Sequence, residues 1–85
     1  MSVEKQNNWI VLNNRTYINM HSIMSFNVEI DDHDIEDKCV NIMLYGKNSY
    51  NFDTEDDYTL TDINRLWDIL TYDVVGLKRD RGFDL

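Results

Sequence analysis

Only one cysteine, Cys39, occurs in the 85 residues, so no internal disulfide can form. No apolar run is long enough for a signal-sequence core or a membrane span, and the two absences together lead to the expectation of a cytoplasmic protein. Glycine is confined to Gly46, Gly76 and Gly82, which leaves no glycine-rich loop to cradle a phosphate. Positive charge is short as well. Eight Lys and Arg stand against sixteen Asp and Glu, and only Lys78, Arg79 and Arg81 cluster, so the field repels phosphates and disfavours direct nucleic-acid binding. Proline is absent beside ten asparagines, the look of an AT-rich coding source, which carries no chemistry.

The acid that is present is unevenly placed. Thirteen carboxylates lie between Glu29 and Asp73 against Lys38, Lys47 and Arg65, an excess that more than accounts for the formal net charge of -8. Two bursts hold most of them: Glu29, Asp31, Asp32, Asp34, Glu36 and Asp37, then Asp53, Glu55, Asp56 and Asp57. Such density strains a small domain by self-repulsion, so it serves either solubility or a negative field presented to something basic.

A hydrophobic content of 42% with apolar positions recurring from 9 to 77 argues for one folded domain despite the charge. The expected boundaries are a flexible polar N-terminus over 1–8, a single domain over 9–77 and a basic mobile tail over 78–85. Trp9 to Leu12 reads as a strand, and Asn13-Asn14 as a turn into a second strand ending near Ile18, because asparagine tolerates positive φ. Met24, Phe26, Val28 and Ile30 alternate with polar residues, the period-2 pattern of a strand with one face on a core. After the charged stretch 31–38, Cys39 to Tyr45 places Val40, Ile42 and Leu44 on one face and Asn41, Met43 and Tyr45 on the other. Gly46-Lys47-Asn48 turns the chain into a strand carrying Tyr50 and Phe52.

Helical spacing then takes over. Leu60, Ile63, Trp67, Leu70 and Val74, with Leu66 beside them, form an apolar stripe; Thr59 or Thr61 can cap its start and Gly76 is expected to end it. The spacing predicts an α+β domain, an antiparallel meander of about five strands with one C-terminal helix packed on one face.

No motif supplies catalytic chemistry. Asp32, Asp34 and Glu36 have the first ligand spacings of a calcium loop, but Asp37 and Met43 stand where glycine and a bidentate glutamate are required; Asp53, Glu55 and Asp57 fail in the same way at Tyr58 and Asn64. His33 and Cys39 are too few ligands for structural zinc, and a solvated His33 with a buried Cys39 is the plainer reading. A Cys-His nucleophile is disfavoured because the acidic neighbourhood opposes a thiolate at Cys39. We therefore expect no cofactor, no metal and no enzymatic activity.

The bursts Asp31 to Asp37 and Asp53 to Asp57, in a small single-domain chain without a catalytic constellation, resemble the composition of phage-encoded inhibitors of host defence, the anti-CRISPR and anti-restriction proteins. The stretch from Tyr17 through Ile23, followed by a hairpin and a terminal helix, is similar to small β-rich proteins of phages and bacteria. The resemblance implies an acidic surface that mimics nucleic acid and engages a basic groove on a defence complex. On that reading Asp31, Asp32, Asp34, Glu36, Asp37, Asp53, Glu55, Asp56 and Asp57 meet the partner, with Trp9, Tyr17 or Tyr45 as aromatic anchors. Two alternatives stay open: the acids are a solvated face, or the chain is a structural module that dimerises through an edge strand or through the face bearing Met43 and Tyr45.

Overall fold

In the computed structural model the described residues are 3–13, 15–30, 33, 37–54 and 58–80, with the backbone alone for 78–80. Two three-stranded antiparallel sheets and a C-terminal helix make the α+β fold. The first sheet holds β1 (Val3–Gln6), β2 (Trp9–Leu12) and β3 (Thr16–Asn19); the second holds β4 (Ile23–Ile30), β5 (Lys38–Leu44) and β6 (Ser49–Asp53). The expected five-strand meander is thus corrected to six strands in two sheets. The extra strand is β1, inside the segment 1–8 that was expected to be flexible. It pairs Val3 with Leu12 and Gln6 with Trp9, through a turn in which Asn7 takes φ 54. Asn13, at φ 55, turns β2 into β3 by the same left-handed device.

The sheets part at a one-turn 3-10 helix, Met20–Ser22. Its start is capped by Asn19, whose Oδ1 accepts the His21 N–H at 2.9 Å. The break is bridged elsewhere, since the Tyr45 N–H donates to the Ser22 carbonyl at 3.0 Å. One core serves both sheets: Val3, Ile10, Leu12 and Ile18 from the first meet Ile23, Val40, Ile42 and Phe52 from the second.

In β4 the alternation holds only partly. Ile23 opposes Leu44 and Phe26 opposes Ile42, so a bulge lies between Ile23 and Ser25 and Met24 drops out of the inward phase. Phe26 and Val28 pack against the core, whereas Met24 and Ile30, expected inside, are exposed. β4 is an edge strand; the helix packs mainly on β5 and β1 and meets β4 at Phe26.

Helix α1 (Leu60–Ile69) begins with a capping box. The Asp62 N–H donates to Thr59 Oγ1 and the Thr59 N–H donates to Asp62 Oδ2, both at 3.1 Å, so Thr59 rather than Thr61 is the cap. The buried stripe is Ile63, Leu66, Ile69, Leu70 and Val74, while Trp67 flanks it half-buried, edge-to-face with Phe26 at 5.5 Å. The backbone continues through a π-helical turn, Leu70–Val74, into α2 (Val75–Asp80). At the start of that turn the Thr71 hydroxyl donates to the carbonyls of Trp67 and Asp68, competing with the α-helical ladder. Gly76, expected to end the helix, lies inside α2 instead; continuing past it keeps Leu77 packed on the core. The tail expected from 78 onward is correspondingly helical in its backbone through Asp80.

Candidate interaction surface at one end of the second sheet

An antiparallel meander returns to its starting end after two crossings, and β4-β5-β6 does so here. Ile30 pairs with Lys38, and Cys39 pairs with both Glu29 and Asp53. The connection that leaves β4 and the one that leaves β6 are therefore anchored at the same end of the same sheet. Of the nine residues expected to meet a partner, Asp37 and Asp53 lie at that end, Asp37 just before β5 and Asp53 closing β6. Asp31, Asp32, Asp34, Glu36, Glu55, Asp56 and Asp57 lie outside the described residues.

A small polar clamp holds this end. The Thr54 N–H donates to the Lys38 carbonyl and the Lys38 N–H donates to Thr54 Oγ1, each at 3.1 Å. The Thr54 hydroxyl lies 3.1 Å from Asp37 Oδ1 and donates to it, which fixes that carboxylate beside the end of β6. Lys38, the cation at this end, shares the core-side parity of Val40 and Ile42, and its Nζ donates to Asn64 Oδ1 of α1 at 3.0 Å. Its charge is thus directed toward the helix.

The opposite face of the sheet is ordered by register into three cross-strand rows: Ser25, Met43 and Ser49; Asn27, Asn41 and Asn51; Glu29, Cys39 and Asp53. Asn41 Nδ2 donates to Asn27 Oδ1 at 2.8 Å, and Cys39 Sγ lies 3.5 Å from Asn41 Oδ1. Cys39 is half-buried rather than buried as expected, because this face points away from the core. Glu29 and Asp53 flank it, each with its Cβ about 5 Å from that of Cys39, so acidic residues continue onto the sheet surface. His33 is exposed, in line with the solvated reading.

Met24, Met43 and Tyr45 are exposed toward the other end, which carries the turn with Gly46 and Lys47, while Ile30 is exposed at the end of β4. Asp62, in the capping box, and Asp73, whose Oδ1 is 3.1 Å from Lys5 Nζ of β1, act within the fold as well. Among the described residues no group of three or more His, Cys, Asp or Glu side chains can hold a metal ion, and no helix is long and apolar enough to cross a membrane. Sequence reasoning did not include Thr54 as the residue that positions Asp37. Its signal was the threonine directly after a strand ending in Asp53. No protein-family model, curated protein or solved structure matches this chain.

Proposed function

We propose that this protein is a non-enzymatic acidic interaction protein, an inhibitor of the phage-encoded type that blocks a basic nucleic-acid-binding groove on a host defence complex by standing in for the nucleic acid. The observation that carries the reading is that the β4–β5 connection and the exit from β6 are anchored at one end of one sheet, with Asp37 held by Thr54, Asp53 across from Cys39, and Lys38 directed to Asn64. Carboxylates at alternate positions of an extended segment would lie roughly 6–7 Å apart, a spacing that arginines and lysines gripping successive phosphates can meet. At physiological salt such a field reaches about 8 Å, so it sets partner sign and association rate, and apolar contacts supply the affinity.

The test is competition. Wild type should displace nucleic acid from the partner, with affinity falling as salt rises, and a variant carrying amides at Asp31, Asp32, Asp34, Glu36, Asp37 and Asp53 should fold and lose most of that binding. Equal, salt-insensitive binding by the two proteins would overturn the reading.

One observation favours a second reading, homodimerisation: Met24, Met43 and Tyr45 are exposed together at the opposite end of the sheet. A dimer formed there would persist at high salt and dissociate on dilution in sedimentation experiments, which separates it from an electrostatic inhibitor.

A further inference from the structure

The outer strand of the second sheet is left open along its length. In β5 the Leu44 N–H donates to the Asn48 carbonyl and the Lys38 carbonyl accepts from the Thr54 N–H, so its even-numbered residues turn their backbone groups to β6. Alternation turns those of Cys39, Asn41 and Met43 to β4, where they face Glu29, Asn27 and Ser25. The backbone groups of Phe26, Val28 and Ile30 therefore point out of the sheet, and among the described residues no hydrogen bond meets them. Open edges are ordinarily kept short or guarded by lysine or proline. The other edge strands have four or five residues, and β1 carries Lys5, but β4 has eight and holds neither lysine nor proline. Its bulge lies at the Ile23 end, clear of these residues. Phe26 and Val28 are only half-buried, Met24 is 41% exposed and Ile30 50%.

We propose that this edge pairs antiparallel with β4 of a second copy, about a two-fold axis at Asn27. The strand is self-complementary about that residue, as a two-fold interface requires. Phe26 meets Val28 of the second copy, and these outward-facing residues exchange backbone bonds as a hydrogen-bonded pair does. Ile30 falls opposite Met24 of the second copy, so each exposed apolar residue of the strand gains an apolar neighbour. Asn27 meets Asn27 with α-carbons about 4.5 Å apart, which joins the Asn51, Asn41 and Asn27 rows of both copies into one. Asn27 Oδ1 already accepts from Asn41 at 2.8 Å, leaving its Nδ2 to donate across the axis. An axis at Phe26 or Val28 satisfies the same parity but leaves Ile30 or Met24 beyond the paired strand. Charge agrees with the choice, because each Glu29 lies opposite Ser25, whereas an axis at Glu29 would set two carboxylates face to face. The acidic end of each sheet is also placed against the Gly46 end of the other. The inference goes beyond the inhibitor reading, which needs no second copy, and its seam is not the surface around Met43 and Tyr45.

The test uses the full chain labelled with nitrogen-15, with sedimentation equilibrium and amide exchange followed over a dilution series. The Ser25, Asn27 and Glu29 amides should exchange slowly at every concentration, and those of Phe26, Val28 and Ile30 only where the dimer is populated. Association should strengthen as salt rises, because each copy carries a net charge of -8; the trend expected with a basic partner is the reverse. Asn27→Asp keeps the bond from Asn41 but opposes two carboxylates at the axis, and Asn27→Lys opposes two ammonium groups. Each should weaken the dimer by about fivefold, and an equimolar mixture of the two should restore it, since opposite charges then meet. Asn27 is exposed, so both variants should retain wild-type circular dichroism. Met43→Ser with Tyr45→Ser should leave association unchanged. A chain that stays monomeric throughout, protection that misses the alternate amides, a mixture no tighter than either variant alone, or loss of association in the Met43 and Tyr45 variant would overturn the proposal. No partner is needed, so a failed nucleic-acid competition leaves the result intact.

Discussion

Replacing Leu66 by alanine should destabilise the protein more than replacing the larger Trp67. Leu66 is 0% exposed and sits among Ile63, Ile69 and Leu70 in the core cluster, whereas Trp67 is only half-buried and touches the core mainly through its edge-to-face contact with Phe26. Leucine-to-alanine changes at such sites cost about 3–5 kcal/mol, the transfer term plus the cavity left behind. Full deletion of a buried tryptophan costs a similar amount, but half the burial halves it, and the ring pair adds about 1 kcal/mol. Trp67→Ala should therefore cost about 2.5–3.5 kcal/mol, against about 3–5 for Leu66→Ala. Both are large beside the roughly 4–13 kcal/mol expected for a domain of this size. Urea denaturation followed by far-UV circular dichroism gives both values on one scale, and a cycle with Phe26→Ala isolates the ring contact. A Trp67 variant as costly as the Leu66 variant would mean that the helix is rotated by about one residue, roughly 100°, and that the core described here is wrong.

Two further outcomes test the ends of the elements. Thr59→Ala should lower stability by about 1 kcal/mol, because the Asp62 N–H loses its acceptor in the capping box; an unchanged urea midpoint would refute that bond. Gly46→Ala and Gly76→Ala should act in opposite directions. A methyl group meets nothing within 4 Å at either site, but Gly46 has φ +93 and Gly76 lies in a helix. The first substitution should cost about 1 kcal/mol and the second gain up to about 1 kcal/mol, both read from the thermal midpoint. Equal signs would show that one of the two backbones is misassigned.

Much of the fold was legible because it rests on local chemistry. The alternation in β5, the positive-φ turn at Gly46 and Lys47, and the capping threonine before α1 are each readable from a few neighbouring residues. What escaped depends on contacts distant in sequence. β1 has one buried residue, Val3, and its strand character comes from pairing with β2. Its turn was nonetheless written in Asn7-Asn8, the same dipeptide as Asn13-Asn14. The apparent stop at Gly76 failed because Leu77, one residue later, gains core contact only if the helix continues. The bulge at Met24 is invisible to a period-2 pattern, since Ile23 and Phe26 both point inward while the residues between them look regularly spaced.

Which end of the second sheet each connection leaves from follows from the same parity argument that places the strands. Once β4, β5 and β6 are antiparallel neighbours, the β4–β5 connection and the exit from β6 must share an end, and the Gly46 turn must occupy the other. Composition gives the number of acids, and strand order decides that Asp37 and Asp53 lie at one end of the sheet and the Gly46 turn at the other. A chain that needed charge only to stay soluble would gain more from interspersing both signs over its surface, because clustered carboxylates repel one another and oppose folding. Here Thr54 hydrogen-bonds Asp37 at the crowded end, and Lys38 is directed toward Asn64. On the proposed function, a cationic surface brought against that end would relieve the repulsion between its carboxylates, which is why the amide variant is expected to keep its fold and lose binding.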